Sequence, residues 1–537
     1  MKVQVISYLY DYEDMVSIGP LYYFLRSFCD SVDPNNKIEW FDPIHKWAKE
    51  PMTQEEAEEC AQSIAVRNPD VILVSMYVWT EENMTFVCEK LKKINKSIKI
   101  IGGGPNIDAT HLSKNFQTYP FFDAVIYGDG EEAFYGLYER YKDTKEITAG
   151  LNCATRDDKG YYKRFKYENY KPYKTYTHET VKSQLIKQIK EFTKTSRRVL
   201  LPYETDRGCP YTCAFCDWSS GLHHKITIRN TDIIKEEVDD LNSIREYVRL
   251  QVVNANYGLI KHDAELLSYM FSKDLSVRIV NWSKTKKDVV FSLVKKHIKH
   301  DQSFKHRTDY SPRRFAIQSI YKEVREAIAR PDIDWESYKE LIEDIIQNHD
   351  PNVNVEIISD LPLMTPLRYV EQIIEISKLK VKSINYYPWT LLTNSPAAKD
   401  GWLSERGYTA KKLYHVVSGD GNILLENFIF GKDDITMKLF LSFIHGYFNI
   451  YNGDLSLLYK RLDVLYALAV KFTKQMEKYE KETGKFIWGA KVEGKWLGFQ
   501  DILAKIVNPL LNTSSVVKSE TNYKYREEMI NVLKTLN

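Results

Sequence analysis

The feature that most constrains the fold is an alternation, along the first 150 residues, of short apolar segments with amphipathic helical segments. Five segments have the length and apolar character of buried strands: VQVISY, KIEWF, DVILVSMY, IKIIG and FDAVIYG. Strands that alternate with helices in this way predict a parallel sheet covered by helices on both faces. We therefore expect residues 1–150 to form a doubly wound α/β domain.

A second series of alternating segments begins at Val199 and extends to residue 430. Its candidate strands are VLLPYETD, VRLQVVNAN, SVRIVNWS, RRFAIQSI, NVEIISDL and VKSINYYPW. Strand–helix units in this succession predict a partial (βα)6 barrel. Because the parallel strands of a barrel end on one rim, functional residues are expected at the carboxyl ends of these strands.

The rest of the chain does not follow this alternation. Residues 151–198 are rich in tyrosine and lysine, and we interpret them as a connector that ends in the helix SQLIKQIKEFTKT. Residues 431–537 carry apolar stripes at helical spacing and predict a helical C-terminal region. The predicted order is thus an α/β domain, a connector, a partial barrel over 199–430 and a helical region.

Composition and charge argue against several classes of partner. The 537 residues contain 75 Lys and Arg and 73 Asp and Glu, so the net charge of +2 gives no reason to expect nucleic acid binding. No apolar run reaches the roughly 18 residues that span a bilayer. The first residues, MKVQVISYLY, alternate like a buried strand and lack a signal-peptide pattern. We expect a cytoplasmic protein with no membrane partner, in which thiols stay reduced.

Three of the seven cysteines are crowded into the segment RGCPYTCAFCDWSS, directly after the first strand of the second series. Reduced cysteines this close together typically bind zinc or iron–sulfur clusters. Zinc held by Cys209, Cys213, Cys216 and either His223 or His224 would give a zinc-stabilised, non-catalytic binding protein. A cubane cluster would instead use the three cysteines for three irons and leave the fourth iron open to a ligand.

Other unusual residues also fall at the predicted carboxyl ends of strands. In the first series a short turn follows each of the last three strands: MYVWT, GGGPN and GDGEE. The glycines of the last two turns would let a ligand approach the backbone closely. Three unusual turns at one edge of the sheet favour a binding site there. None of these turns has the spacing of a nucleotide phosphate motif. In the second series, Asn254 and Asn256 follow the second strand and Gln318 ends the fourth.

The spacing Cys-x3-Cys-x2-Cys, with Phe215 directly before the last cysteine, resembles the radical S-adenosylmethionine (SAM) superfamily. The segments RRFAIQSIYKEVREAIAR, VEIISDLPLMT and INYYPWTLLTNSP are similar to the fourth, fifth and sixth strand regions of that superfamily. Asp360 stands where the superfamily often has glycine. The resemblance implies a [4Fe-4S] cluster on Cys209, Cys213 and Cys216, with SAM bound at the open iron.

The same resemblance implies which other residues contact SAM. Phe215 is expected near the adenine. Asn254 and Asn256 occupy the place where the superfamily binds the SAM amino group, although the usual acidic residue is absent there. Gln318 is expected to hold the ribose or the carboxylate of SAM. An external one-electron reductant of the flavodoxin or ferredoxin type is implied as a partner.

The first domain resembles the cobalamin-binding domain of one branch of this superfamily, through NPDVILVSMYVWT, IKIIGGGPN and FDAVIYGDGEEAF. This implies a flavodoxin-like fold and cobalamin as a further cofactor. The residues that the resemblance places around the corrin are Ser75, Tyr77, Trp79, Gly103, Gly104, Pro105, Gly128, Gly130 and Glu131. The loop YLYDYEDMVSIGP contains no histidine to coordinate cobalt, and Trp79 is expected at the lower face of the corrin.

Together the two resemblances imply an enzyme that methylates an unactivated carbon atom of a small-molecule or natural-product-type substrate. SAM would be cleaved after one-electron reduction, and cobalamin would donate the methyl group. A non-methylating cyclisation or rearrangement with the same cofactors is the alternative within this chemistry. The zinc-stabilised binding protein is the alternative from another class.

Overall fold

The computed structural model describes residues 1–12, 15–48, 52–163, 171–194, 198–218, 224–283, 285–303, 313–418, 422–430, 435–450, 458–492, 495–497, 502 and 526–534. Its strands are β1 Lys2–Tyr12, β2 Met15–Ser17, β3 Glu39–Trp40, β4 Ile44–Ala48, β5 Val71–Ser75, β6 Lys99–Gly103, β7 Ala124–Ile126, β8 Cys153–Thr155, β9 Arg198–Tyr203, β10 Asp206–Arg207, β11 Thr227–Ile228, β12 Val248–Val252, β13 Ser276–Ile279, β14 Arg313–Gln318, β15 Val353–Ile358, β16 Ser383–Tyr387, β17 Thr409–Ser418, β18 Asn422–Phe430, β19 Ile487–Trp488, β20 Ala490–Val492 and β21 Lys495–Leu497. Its helices are α1 Leu21–Val32, α2 Gln54–Arg67, α3 Glu81–Ile94, α4 Leu112–Thr118, α5 Gly130–Thr144, α6 Lys182–Thr193, α7 Thr231–Asn242, α8 Lys261–Ser272, α9 Lys287–Ser303, α10 Lys322–Ala327, α11 Trp335–Asn348, α12 Pro366–Ser377, α13 Ile435–Ile450, α14 Leu462–Thr483 and α15 Arg526–Lys534.

The first domain has the parallel sheet that the sequence predicts. Strand β1 pairs in parallel with β5, β5 with β6, and β6 with β7. Alternate side chains of β5 enter two separate cores. Val71 and Leu73 pack in the core that contains residues of α1 and α5, whereas Ile72 and Val74 pack in the core that contains residues of α2 and α3. The doubly wound α/β prediction is therefore confirmed.

The sheet of the first domain is more extensive than predicted. The predicted strand KIEWF is replaced by two short strands, β3 and β4, which both pair in parallel with β1. Pro43 lies between them and has no amide hydrogen to continue the pairing. At the other edge β8, from the predicted connector, pairs antiparallel with β7.

The six predicted barrel strands form, hydrogen-bonded as two parallel sets of three. One set contains β9, β12 and β13, and the other contains β14, β15 and β16. Strand β9 also pairs in parallel with β2, which pairs antiparallel with the end of β1. Through β2 the first barrel strands and the first domain share one continuous sheet. The sequence pattern gave no sign of this junction because β2 is too short to show a period.

The C-terminal part contains the expected long helices α13 and α14, together with strands. Strands β17 and β18 form an antiparallel pair, and β19 joins it in parallel with β17. Helix α13 contacts the barrel: Ser442 Oγ donates a hydrogen bond to Tyr386 Oη at 3.1 Å. Across the described ranges no helix combines the length and the apolar character that a bilayer crossing requires.

A buried ion pair also fastens α13 to the barrel. Lys438 Nζ lies 2.8 Å from Asp360 Oδ2, and the two side chains are 2% and 13% exposed. Burial lowers the pKa of Lys438, and the nearby carboxylate of Asp360 opposes this shift. Asp360 follows β15 and has a φ of +60°, a left-handed conformation that favours glycine. The departure from glycine at this position is thus matched by a lysine from the C-terminal region.

Replacing Lys438 with methionine is expected to lower the free energy of unfolding by about 3–5 kcal/mol, because it leaves the Asp360 carboxylate without its buried counter-charge. The double variant Asp360→Gly/Lys438→Met removes both charges and places glycine at the positive φ, so it should recover most of this loss. Urea denaturation measures both variants. Lys478→Met, on an exposed lysine of α14, is the control. Equal stability of Lys438→Met and the wild type would contradict the prediction.

Candidate active site

The cysteine loop follows the first barrel strand, at the carboxyl end where the sequence predicts it. Cys209 and Cys213 are buried and Cys216 is partly exposed. The Ala214 amide donates to the Ile328 carbonyl at 2.9 Å, and the Ala214 carbonyl accepts from the Ala397 amide at 3.0 Å. The loop is therefore held by segments that follow the fourth and the sixth barrel strands.

The three thiols fit an iron–sulfur cluster better than a single zinc ion. Burial, with the neighbouring Asp217, Cys213 and Cys209, raises the pKa of the Cys216 thiol to about 12, so a cationic metal centre is needed to hold this residue as a thiolate. One tetrahedral zinc would hold its sulfur ligands within about 4 Å of one another. The three cysteine sulfurs do not form a group with all separations below 4.8 Å, as far as the described residues show. His224 is exposed, and His223 lies outside the described residues.

Asn254 and Asn256, the residues predicted to bind the SAM amino group, lie against the cysteine loop and its entry. Asn256 Nδ2 donates to Cys209 Sγ at 3.0 Å. Asn254 accepts from the Thr205 amide at 3.1 Å and donates to the carboxylate of Asp206. Both asparagines are buried. The structure thus assigns them contacts with the loop, and their contact with SAM stays a prediction.

Phe215 and Gln318, the other residues predicted to contact SAM, also lie near the loop side of the barrel. The guanidinium carbon of Arg330 lies 5.7 Å from the centroid of the Phe215 ring. Gln318 ends β14 at a bulge, with a φ of +63°. Its side-chain oxygen is buried and has no hydrogen-bond partner within the part of the chain that is described. A strained residue with an unused acceptor is consistent with the predicted ligand contact, which remains untested.

The predicted corrin-binding residues lie at the carboxyl ends of β5, β6 and β7. Ser75 ends β5 and Gly103 ends β6, and the Gly103 carbonyl accepts from the Met76 amide at 2.7 Å. Gly104 has a φ of +95°, and a Cβ atom there would come within 2.8 Å of the Met76 carbonyl oxygen. Glycine is therefore required for the two turns to pack together. Pro105 continues the second turn, and its role toward a corrin stays a prediction.

Tyr77 and Trp79 form the aromatic part of this rim. Their rings stack with centroids 4.8 Å apart. Trp79 is 43% exposed, so it is not buried in the hydrophobic core. Burial raises the pKa of Tyr77, and the carboxylates of Glu204 and Asp217 in the barrel act in the same direction. Tyr77, on one of the turns predicted to bind the corrin, is therefore close enough to the barrel to sense the charges of Glu204 and Asp217 beside the cysteine loop.

Arg207, which sequence reasoning did not identify, joins the two rims directly. Its guanidinium lies 2.6 Å from Asp129 Oδ1, 2.9 Å from Glu131 Oε1 and 2.7 Å from Glu204 Oε2. The side chains of Asp129 and Glu131 are each 5% exposed. Glu131, which the resemblance places near the corrin, is thus engaged by the arginine at the entry to the cysteine loop. The sequence signal that could have identified Arg207 was its position directly before the cysteine loop, in the segment RGCP.

The two remaining predicted corrin contacts flank this cluster. Gly128 follows β7 with a φ of +75°, and Gly130 is the first residue of α5. Both lie next to Asp129 in sequence, so they are close to the ion pairs with Arg207. Nothing in the structure tests their contact with a corrin.

Besides the Arg207 ion pairs, the side chain of Asn394 joins the barrel to the GGGPN turn. Asn394, after the last barrel strand, donates from Nδ2 to the carbonyls of Pro105 at 2.7 Å and Ile107 at 2.8 Å. Its Oδ1 accepts from the Ala109 amide at 3.0 Å. One side-chain amide therefore fixes the turn that is predicted to approach the corrin.

Asn394→Ala is expected to lower the free energy of unfolding by about 1–3 kcal/mol, because it leaves partly buried backbone groups without partners. It should also weaken cobalamin binding, since the GGGPN turn loses its support. Thermal unfolding and the cobalamin retained after gel filtration measure these effects. Asn348→Ala, which removes an exposed amide on α11 with one surface hydrogen bond, should change neither. If Asn394→Ala changed neither the stability nor the cobalamin retained, Asn394 would not support the GGGPN turn.

Comparisons with known proteins agree with this geometry. Residues 50–138 match the B12 binding domain family. The chain is 27% identical over 342 residues to the 2-(S-pantetheinyl)-carbapenam-3-carboxylate methyltransferase of Streptantibioticus cattleyicolor, covering 62% of this chain and 48% of the relative. It is 24% identical over 366 residues to the cobalamin-dependent radical SAM methyltransferase TokK of Streptomyces tokunonensis, covering 63% and 49%. The chain thus spans about half the length of these curated relatives.

Two solved structures show the same fold. Radical SAM methyltransferase TsrM from Kitasatospora setae, with cobalamin and a [4Fe-4S] cluster bound, superposes with a TM-score of 0.54 at 11% identity, covering 100% of this chain and 99% of that one. The cobalamin-dependent SAM radical enzyme OxsB, with aqua-cobalamin and SAM bound, gives 0.57 at 11% identity, covering 99% and 78%. The fold and the site define a class of protein with a B12-binding domain joined to a cysteine-bearing partial barrel. This chain has that fold, its residues 50–138 match the B12 binding domain family, and it is similar to the cobalamin-binding branch of the radical SAM proteins.

Proposed function

We propose that this protein is a cobalamin-dependent radical SAM methyltransferase that methylates an unactivated carbon atom of a small-molecule substrate. The observation that supports the proposal is the set of ion pairs by which Arg207, beside the three-cysteine loop, binds Asp129 and Glu131 of the domain that matches the B12 binding family. Two cofactor sites that lie this close can act on one substrate between them. The names of the curated relatives, both methyltransferases, support methyl transfer as the reaction.

The residues of the chain have distinct roles in this proposal. Cys209, Cys213 and Cys216 would hold the [4Fe-4S] cluster, and Asn256 would orient Cys209 through its 3.0 Å hydrogen bond. When bound, the cluster supplies the electron that cleaves SAM, and cobalamin supplies the methyl group. Gln318 would present its unused side-chain oxygen to SAM. Trp79 would lie against the lower face of the corrin, where its exposed ring is available for contact.

The substrate is proposed to be a small molecule because the relatives with stated substrates act on small molecules. One is named for a carbapenam carboxylate, and TsrM was solved with tryptophan as its substrate. The proposed reductant is an external flavodoxin or ferredoxin, since the three clustered cysteines account for one cluster. The remaining four cysteines are buried in the first domain and its connector, and among the described residues no three of them form a group that could hold a metal.

Anaerobic incubation of the reconstituted protein with SAM and a strong reductant tests the proposal. With methylcobalamin present we expect both 5′-deoxyadenosine and S-adenosylhomocysteine, together with a candidate substrate that gains one CH2 group. A product of unchanged carbon count would favour cyclisation or rearrangement. Protein that carries about four irons per chain but forms no 5′-deoxyadenosine would contradict the radical SAM assignment.

A further inference from the structure

A buried group of one histidine and two carboxylates lies at the entry to the cysteine loop and has no role in the proposed function. It consists of Asp206 on β10 with His262 and Asp263 on α8, and one ligand atom from each lies within 4.8 Å of the others. Asp206 is 4% exposed and Asp263 is fully buried. The side chain of His262 is 12% exposed. These residue types at this separation are able to coordinate a metal ion.

The charges in this group are not balanced by the surrounding protein. Over the described residues, neither Asp206 nor Asp263 has a lysine or arginine nitrogen within ion-pair distance. Two buried carboxylates without a cation are costly, because each loses its hydration and each repels the other. Consistent with this, burial and the charge of Asp263 raise the pKa of Asp206 to about 8. Burial likewise raises the pKa of Asp263 to about 6.

The hydrogen bonds of Asp263 use only one of its two carboxylate oxygens among the described residues. Asp263 Oδ2 accepts from the amides of Gly258 at 2.8 Å and Ile260 at 3.4 Å. Its other oxygen, Oδ1, is fully buried and accepts no hydrogen bond from any residue in the described part of the chain. His262 Nδ1 lies 3.7 Å from this oxygen, beyond hydrogen-bond distance. An unused buried acceptor that faces a histidine and a second carboxylate is an arrangement that a cation completes.

Hydrogen bonds from neighbouring groups orient both carboxylates, as they commonly do for metal ligands in proteins. Asn254 donates to Asp206 Oδ2, and the backbone amides fix Asp263. Such supporting hydrogen bonds orient ligands and are typical of metal sites in proteins. At Asp263 they leave Oδ1 without a hydrogen-bond partner among the described residues.

We propose that Asp206, His262 and Asp263 bind one divalent transition-metal cation. Carboxylate oxygens with an imidazole nitrogen suit Mn²⁺, Fe²⁺ or Zn²⁺. The ion would neutralise the buried carboxylates and tie β10 to the start of α8. Because Asp206 lies shortly before Cys209 in sequence, the ion fixes the entry to the cysteine loop and is distinct from the three-cysteine site.

The test uses the anaerobically reconstituted full-length protein, freed of loosely bound metal and titrated with Mn²⁺. Electron paramagnetic resonance measures the free Mn²⁺, and the oxidised [4Fe-4S] cluster, being diamagnetic, does not interfere. We expect one Mn²⁺ bound per chain, displaced by Zn²⁺. Asp206→Asn and His262→Ala should each weaken this binding at least tenfold. Asp263 is left unchanged because it also fixes the start of α8.

Glu265→Gln is the matched control, because Glu265 lies on the same helix with its side chain 59% exposed and pairs with a surface lysine. It should bind Mn²⁺ as the wild type does. Iron content and thermal unfolding of every variant show that fold and cluster are intact. Absence of a saturable Mn²⁺ site in the wild type would overturn the proposal and indicate that the carboxylates share a proton instead. Equal Mn²⁺ affinity in the wild type, Asp206→Asn and His262→Ala would also overturn it.

Discussion

Replacing Cys213 with alanine is expected to abolish SAM cleavage, with the rate of 5′-deoxyadenosine formation falling by at least about a thousandfold. The physical reason is that two remaining thiolates cannot hold a cubane cluster through three irons. Cys213 is buried in a loop that the Ala214 backbone pins to two other segments, so no other described cysteine is available to replace it. Iron content and 5′-deoxyadenosine formation, measured on the same anaerobic preparation, check this result.

Cys88→Ala is the matched control for this prediction. Cys88 is fully buried on α3, in the core of the first domain. Its replacement should lower stability only slightly and leave the iron content unchanged. If Cys213→Ala retained both full iron content and SAM cleavage, the cluster would have to be held elsewhere in the chain.

Replacing Arg207 with methionine is expected to separate the two halves of the reaction. The change removes the positive charge that pairs with the buried carboxylates of Asp129 and Glu131, which should cost about 3–5 kcal/mol of stability. It also removes the link between the cysteine loop and the turn at Asp129 and Glu131, which is predicted to lie near the corrin. A displacement of about 1 Å between the two cofactor sites can cost roughly a hundredfold in rate. We therefore expect methyl transfer, measured as product that gains one CH2 group, to fall much more than 5′-deoxyadenosine formation.

Arg207→Lys should give an intermediate result, because a lysine keeps the charge but cannot reach three carboxylates in the forked geometry of a guanidinium. Arg368→Met, which removes a partly exposed pair with Glu323, should change the stability by less than about 1 kcal/mol. An equal loss of both activities in Arg207→Met would mean that Arg207 supports the fold alone. Unchanged activities and stability would contradict its linking role.

The parts of this structure that depend on local pattern could be read from the sequence. Val71 to Val74 predict a buried strand because all four are apolar, and the structure places them alternately in two cores. The cysteine loop was predictable because its three cysteines lie within one short segment. The fold class and the resemblance to cobalamin-binding radical SAM proteins also depend on patterns within short segments, and both predictions were confirmed.

The parts that depend on distant contacts could not be read in this way. Glu131 is 76 positions from Arg207 in the chain, so its capture by that arginine leaves no trace in the local sequence around either residue. Lys438 lies on a helix whose apolar stripe suggested only core packing, yet it enters the barrel to meet Asp360. Strands β2 and β19 are too short to show a period. Contacts between remote segments therefore decide how the two rims meet.

In the proposed site, the three cysteines would hold three irons of the cluster and leave the fourth iron open to SAM. Electron paramagnetic resonance of the reduced, reconstituted protein, recorded before and after SAM is added, tests this arrangement most directly. We predict that the signal of the reduced cluster shifts when SAM is added, because the open iron gains new ligands. A signal that SAM leaves unchanged, or a protein that retains one zinc and no iron, would contradict the account.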